Sequence, residues 1–530
     1  MTDNRKNWML AFLLTIPMVI FFIGFIFNHD GSLVPTGFIM HDNVAYIAYA
    51  RQYLDSDHFH FFYSNPFNDS ENYPHIYFQP QTLFFAFLLW LKIPPGFILI
   101  PFTWLCTFIS FRIIISIYDQ LVQKNNYRIL SIVLFCWAGG LLEIAGIFAH
   151  FFKPGSGGQF LDNIFILDPA GGWWGLNLGR AFFFSCEAYY HLLFLATILC
   201  ILKNKWGATL FFAAFLSLSH PFTGIELLAI ISLWVLIEKF LYKNKNIPWW
   251  VLWGIVAIIG FHIYYYLFYL NQFSDHRSVS TQYALNWRLR FFSMIPAYCI
   301  VGGLSILSAL RSGSLRSFLQ NSNTRLFLCW FIASFALANH ELFLKPMQPL
   351  HFTRGYIWAS LFLLGLPGLH FVFNFLKKKN WKIVWLVFVS LFLSDNFLWI
   401  LNEIRSKRRS PSETHISREQ ESVLSSIREN SNNRSLIMGS DLVPYMSTVY
   451  TAGYPWISHP YTTPFYKQKK QAYDEFINSN KIDSAWKGRE VIFVFRKEDS
   501  LEANRSQHLN IPASTIIETK SYRVLRVSFP

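Results

Sequence analysis

Residues 77–92 read YFQPQTLFFAFLLWLK, and whether this stretch crosses a bilayer decides the orientation of everything after it. It is apolar enough to be counted as a span. Ile93-Pro94-Pro95-Gly96 then stops it, because proline has no amide N–H to give and clashes with the preceding turn. About eleven other runs approach the ~20 apolar residues needed to cross hydrocarbon. They are 8–28, 97–118, 129–149, 183–202, 206–220, 222–242, 248–269, 291–310, 325–343, 354–376 and 381–401. With an inside N-terminus, these put Lys124 and Arg128, Lys203 and Lys205, Lys243 and Lys245, Arg311 and Arg316, and Lys377 to Lys379 on one side. That is the positive-inside pattern. A further span at 77–92 would turn every one of these basic loops outward, so the stretch is read as a short juxtamembrane or re-entrant helix.

The composition agrees with a membrane chain. Of 530 residues, 53% are hydrophobic, 19% aromatic and only 14% charged, with a mean hydropathy of +0.29, which excludes an ordinary soluble enzyme. The predicted fold is a polytopic α-helical membrane protein, with a transmembrane module over 1–402, a large first outer loop at 29–96 and a soluble extracytoplasmic α/β domain over 403–530. Net charge is +14, but the basic residues sit in short connectors, so nucleic acid is not an expected partner. All six cysteines (Cys106, Cys136, Cys186, Cys200, Cys299, Cys329) fall in or beside apolar runs and offer neither a disulfide framework nor zinc spacing. Arg5 and Lys6 before Trp8 look like the start of a signal peptide. The stretch Ile26 to Leu33 lacks a small-residue cleavage pattern, so an uncleaved anchor is expected, with the N-terminus cytoplasmic.

The outward loops 29–96, 150–182, 270–290 and 340–353, together with the tail, collect His, Asp, Asn, Trp and Tyr. In the tail, helices are expected near 418–430 and 465–478 and strands near 435–438, 491–495 and 522–527.

Asp42 stands beside His41, ahead of Tyr46 and Arg51 in a stretch able to lie as a helix on the bilayer. Asp is a common helix N-cap, and that role competes with a chemical one. The loop 150–182 brings Lys153, Asp162, Asp168, Trp173, Trp174 and Arg180 amid glycines that lack Walker spacing. Tryptophans at this depth also serve as interfacial belts. Glu187 and His191, four apart, share a helix face. His220-Pro221 marks a turn between two runs, and Lys345 and Arg354 flank the start of a late span. An arginine there either snorkels to headgroups or grips a phosphate with its two-pronged guanidinium. Glu143 and Asp395 lie inside apolar runs, where ionisable groups are functional candidates or buried hydrogen-bonding groups.

Together these features resemble the GT-C superfamily of polyprenyl-phosphate-sugar-dependent glycosyltransferases, which includes bacterial protein mannosyltransferases and the aminoarabinose transferase of lipid A. The likeness rests on Asp42 with the helix from Tyr46 to Tyr53, on Gln79-Pro80-Gln81 and the short helix after it, and on Ser219-His220-Pro221-Phe222. It rests also on Phe352-Thr353-Arg354 and on the order of Gly439-Ser440-Asp441, Tyr450-Thr451-Ala452-Gly453 and Ser458-His459-Pro460 in the tail. The chain has His41-Asp42-Asn43 where many relatives carry paired acids.

The resemblance implies inverting displacement at the anomeric carbon of a polyprenyl-phosphate-linked sugar, on the extracytoplasmic face of a bacterial inner membrane, onto a lipid, glycan or protein acceptor. Polyprenyl phosphate, with a second pKa near ~6, departs without needing a proton, so the reaction asks mainly for a base. Asp42 takes that role in this reading. Arg354, Lys345 and Arg180 face the donor phosphate, and His41, Tyr46, Arg51, Glu187, His191, His220, Trp173 and Trp174 face substrate. No cofactor is required by the sequence, and a requirement for Mg²⁺ or Mn²⁺ stays open. A lipid-linked glycan transporter or flippase explains the spans equally well, but shows no paired halves with broken helices. A polysaccharide polymerase would place its large loop between central spans.

Overall fold

The structure, a computed structural model, describes the chain except residues 1–2, 28, 30, 55–59, 70–72, 123–124, 153–159, 161–163, 410–412, 434, 510 and 530, and gives only the backbone of residues 3 and 406–409. The described residues form two compact units: Met1–Gly24, Phe102–Tyr265 and Ala284–Ser406 in the first, and Phe25–Pro101, Tyr266–Tyr283 and Lys407–Pro530 in the second.

Among the described residues, 7 helices are long and apolar enough to cross a membrane, or 8 if a bent pair counts as one. The chain is thus a helical membrane protein, but the expected count near eleven is not reached. Helix length is the reason. Trp206–Ser219 has 14 residues and Ser322–Ala338 has 17. At 1.5 Å per residue they extend roughly 21 and 25 Å, short of a hydrocarbon core of about 30 Å. Pro221–Leu236 ends as an α-helix after 16 residues and continues as a π-helical turn, Ile237–Leu241. The run 129–149, read as one span, is two helices, Arg128–Trp137 and Leu142–Phe152, bent by 54°. The Asp395 carboxylate holds the break by accepting the backbone N–H groups of Gly140 (2.8 Å), Leu142 (3.1 Å) and Glu143 (3.2 Å). It satisfies amides that the second helix leaves free at its N-terminus.

The opening stretch 77–92 folds as the short helix Pro80–Trp90, with Pro80 at its first turn. Lys92 turns the chain at φ 63°, and Pro95 starts the long helix Pro95–Leu121. A proline pair therefore ends one helix and begins the next, because its missing N–H is an orphan at a first turn anyway. Gly96 in that first turn presses on residue 36, where an added Cβ would sit 2.0 Å from the Thr36 carbonyl oxygen. Gly96→Ala is expected to lower stability by about 1–3 kcal/mol, read as a drop in melting temperature in detergent. Gly302→Ala, in open space, serves as the control that should not drop.

In the second unit, β1 (Leu33–Pro35) pairs antiparallel with β2 (His415–Ser417), tying the chain after the first span to the start of the tail. A five-stranded sheet follows, in the order β4 (Tyr454–Pro455), β3 (Leu436–Met438), β5 (Glu490–Arg496), β7 (Tyr522–Ser528) and β6 (Ala513–Glu518). Strands β4, β3 and β5 are parallel, and β7 is antiparallel to both β5 and β6. The run EVIFVFR at β5 is buried at its five central positions, as a strand covered on both faces must be. Helix Tyr466–Ser479 packs Phe476 and Tyr473 on Trp456, Trp486 and Phe493. The other tail helices are Arg418–Asn430, Leu442–Tyr450 and Ser500–Gln507.

Candidate functional site

Asp42 lies in helix His41–Arg51, but it does not cap it. The Asn43 side chain turns back instead, its Oδ1 accepting the amides of Ile39 (3.2 Å) and Met40 (3.4 Å). The Asp42 carboxylate is left 52% exposed, with Oδ1 2.9 Å from Nε2 of His459, whose own side chain is only 6% exposed. The backbone N–H of Tyr461 points at His459 Nδ1 (3.2 Å), so Nδ1 accepts and Nε2 carries the hydrogen donated to Asp42. His41 stacks on His459 (5.0 Å between centroids) and on Tyr445 (4.3 Å), and the Tyr445 hydroxyl donates to the His41 carbonyl at 2.7 Å. Burial first, and then the Asp42 charge, hold the Tyr445 and Tyr283 phenols above the usual tyrosine range, so both stay protonated beside the carboxylate. This is a fixed, partly solvated carboxylate able to accept a proton from a hydroxyl.

Three distant segments hold this arrangement. Asn65 donates to the Thr462 carbonyl (2.9 Å), Gln282 to the Thr463 carbonyl (3.1 Å) and the Phe465 amide to Ser278 Oγ (2.7 Å). Lys469, buried, pairs with Asp69 at 2.6 Å, and Asn68 bonds to Asp275. Arg51 is one of these clamps, donating to the Thr448 carbonyl at 3.2 Å, and Tyr46 sits edge-on to Tyr49.

His276, on helix Ser274–Gln282, is bonded through Nδ1 to the Tyr77 hydroxyl (3.1 Å), and burial pushes its imidazole down to about 4. The folded form therefore refuses a proton that the unfolded chain accepts near pH 6.5, and folding loses stability as pH falls from about 6.5 to about 4. The loss is expected to reach at most about 3 kcal/mol. Hydrogen exchange of residues 274–282 should accelerate across that window, and His276→Gln should flatten the dependence.

The first unit holds a different cluster. Thr353-Arg354-Gly355 leads into helix Tyr356–Lys378 with Arg354 at φ 34° and Gly355 at φ 72°. Arg354 does not snorkel: it is buried, with its guanidinium ion-paired to Glu187, bonded to His351 Nδ1 and 4.7 Å above the Trp174 ring. Its Nε donates to the His351 carbonyl at 2.7 Å. His191 reaches the carbonyls of Glu187 and Arg354 through its two nitrogens, each at 2.7 Å. His220 is the N-cap of helix Pro221–Leu236, its Nδ1 accepting the Thr223 amide (3.2 Å). Its Nε2 lies 3.2 Å from Nη2 of Arg354, a group that only donates.

Arg180 belongs to a separate buried knot in the same unit, bonded to Glu143, to Asp168 (2.7 Å) and to Asn396 (3.2 Å), with Trp399 5.7 Å away. Trp173 stacks on that same Trp399, at 4.4 Å. Lys345 is exposed and makes no ion pair among the described residues. Lys153 and Asp162 lie outside the described residues. Among the described residues no three His, Cys, Asp or Glu side chains gather as a metal-ion site, so the Mg²⁺ or Mn²⁺ left open by the sequence has no ligand set there.

One further group has no counterpart in the sequence reading. Glu226 is fully buried with both carboxyl oxygens unpaired, and unpaired Trp330 Nε1, Ser334 Oγ and Tyr356 hydroxyl occur on neighbouring helices. Each such atom left unsatisfied costs about 1–3 kcal/mol. His459 also escaped the sequence reading. Its motif was legible, but a histidine in a tail loop carries no signal of the distant carboxylate it meets.

No known family profile matches the chain, and no curated protein matches its sequence. Among solved structures it is similar to the Archaeoglobus fulgidus oligosaccharyltransferase AglB in complex with an inhibitory peptide and a dolichol-phosphate, at 10% identity and a TM-score of 0.44 over 93% of this chain and 70% of that one. The apo form of the A. fulgidus oligosaccharyltransferase gives 11% and 0.47 over the same shares, and its complex with Zn and sulfate gives 10% and 0.39 over 85% and 62%.

Proposed function

We propose that the protein is a membrane glycosyltransferase that moves a sugar from a polyprenyl-phosphate donor to a hydroxyl-bearing acceptor by inverting displacement on the extracytoplasmic side. The carrying observation is the Asp42–His459 pair: a half-exposed carboxylate whose orientation is set by an imidazole of assigned tautomer. Asp42 accepts the acceptor's proton as the new glycosidic bond forms. His459, donating through Nε2, keeps Asp42 aimed, and the two protonated phenols add no competing base. Arg354 is the phosphate ligand in this reading. None of the chemistry proposed for Asp42 runs through a metal.

Purified full-length protein in lipid, supplied with polyprenyl-phosphate sugars of several kinds, should release polyprenyl phosphate in step with acceptor glycosylation. Release from none of the donors, in protein that is folded and monodisperse, removes the proposal. A flippase would instead move labelled lipid across the bilayer with the sugar–phosphate bond intact, so the same preparation separates the two activities.

A further inference from the structure

Helices Trp206–Ser219 and Pro221–Leu236 form a hairpin that turns at His220, so Trp206 and Leu236 lie at the end away from the Arg354 cluster. That end is basic. Between residues 188 and 274 the only cations are Lys203, Lys205, Lys239, Lys243 and Lys245, all of them there, and the only acids are Glu226 and Glu238. Glu226 stands more than three turns back along its helix. Glu238 is fully buried, its carboxylate accepting Arg325 Nε at 2.6 Å and Asn244 Nδ2 at 2.8 Å. Among the described residues none of these lysines pairs with a carboxylate, and Lys203, Lys205, Lys243 and Lys245 are exposed.

The loops that carry the lysines are bonded to each other. Trp206 Nε1 donates to the Asn246 carbonyl at 3.0 Å, and the Asn246 amide donates to Asn244 Oδ1 at 2.9 Å. The Asn244 amide closes the turn on the Glu238 carbonyl at 2.8 Å. An apolar face adjoins this charge. Lys239 Nζ lies 4.7 Å from the centroid of the Trp249 ring, and Phe240 meets the same ring edge-on at 5.9 Å. Trp249, Trp250 and Trp253 are exposed on helix Trp249–Ile263, part of a stretch long and apolar enough to cross a membrane. Trp253 follows the other two by one turn, so the three rings share a side of the helix.

Like charges gathered without acids repel one another, and an anion among them removes the repulsion. Exposed tryptophans beside a span suit the boundary between headgroups and hydrocarbon. We propose that this end of the bundle binds the phosphodiester headgroup of an anionic phospholipid, with Lys239, Lys243 and Lys245 on the phosphate and an acyl chain along Trp249, Trp250 and Trp253. Lysine, a compact point charge, serves a phosphate without bidentate geometry. The site lies beyond the far ends of the His220 hairpin and does not depend on Arg354 being a phosphate ligand.

The test is native mass spectrometry of the full-length protein in neutral detergent, titrated with phosphatidylglycerol or with phosphatidylcholine of the same chains. The parent should bind phosphatidylglycerol about tenfold more tightly. Lys239→Gln, Lys243→Gln and Lys245→Gln combined should remove that preference. Lys377→Gln, Lys378→Gln and Lys379→Gln combined take an equal charge from another basic turn and should leave it intact. If the first triple variant does not fold, Lys243→Glu, at a single exposed position, should by itself weaken phosphatidylglycerol binding. Glycerophosphoglycerol, the same headgroup without chains, should not compete. Equal affinity of the parent for the two lipids, or of the two triple variants for phosphatidylglycerol, overturns the site. Competition by glycerophosphoglycerol overturns the lipid as its occupant.

Discussion

Asp42→Asn is expected to slow sugar transfer by about 10²–10⁴-fold, the range for loss of a positioned general base, while the melting temperature stays within a degree or two of the parent. The two halves of this expectation have different origins. Activity depends on the carboxylate's basicity, which an amide lacks although it keeps the shape. Stability barely changes because Asp42 is half exposed and it is Asn43, not Asp42, that bonds the Ile39 and Met40 amides just ahead of the helix. Exposed substitutions away from caps and cores shift stability by about 0.5 kcal/mol or less.

His459→Gln should act through Asp42, with a smaller loss, because the carboxylate loses the donor that aims it. Release of polyprenyl phosphate, measured for the parent and both variants with a melting curve for each, decides the matter. Unchanged turnover in Asp42→Asn would falsify the assignment of the base.

Arg354→Met should lower stability by about 3–5 kcal/mol, because it strands Glu187 as an uncompensated buried charge, and should also abolish binding of isoprenyl phosphate. The two effects are separable. Glu187→Met added to Arg354→Met removes the stranded charge, and apolar replacement of a whole buried pair is often neutral. The double variant is therefore expected to regain most of the lost stability yet still fail to bind phosphate. Arg354→Lys keeps the charge but not the planar fork that pairs with Glu187 while stacking on Trp174, so it should bind weakly. Recovery of phosphate affinity in the double variant would show that Arg354 is a structural residue only. The same logic applied to Arg180 predicts a comparable loss of stability for Arg180→Met, given its ties to Glu143 and Asp168.

Much of the architecture was legible because it depends on local pattern. The apolar runs mark the long helices, and a proline pair marks the break after the 77–92 stretch. In the tail, expected helices and strands recur within one or two residues, as at Arg418–Asn430, Glu490–Arg496 and Tyr522–Ser528. The count of spans was less legible. Hydropathy measures how apolar a run is, not how long its helix stays straight, and the bend at residues 138–141 is held by Asp395 from far along the chain.

Residue types with chemical capacity were also visible: Asp42, Glu187, His191, His220 and Arg354 stand out as polar groups in or beside apolar sequence. Their partners were not. That Asp42 is met by His459, that Arg354 is enclosed by Glu187, His220 and His351, that Arg180 is taken up by Glu143 and Asp168, and that Glu226 stays unpaired are all consequences of contacts between distant segments. Helix and strand patterns arise from the period of the backbone, which a run of a dozen residues already expresses. A hydrogen bond across hundreds of residues depends on how separate elements pack, and only the folded chain brings those two ends within 3 Å.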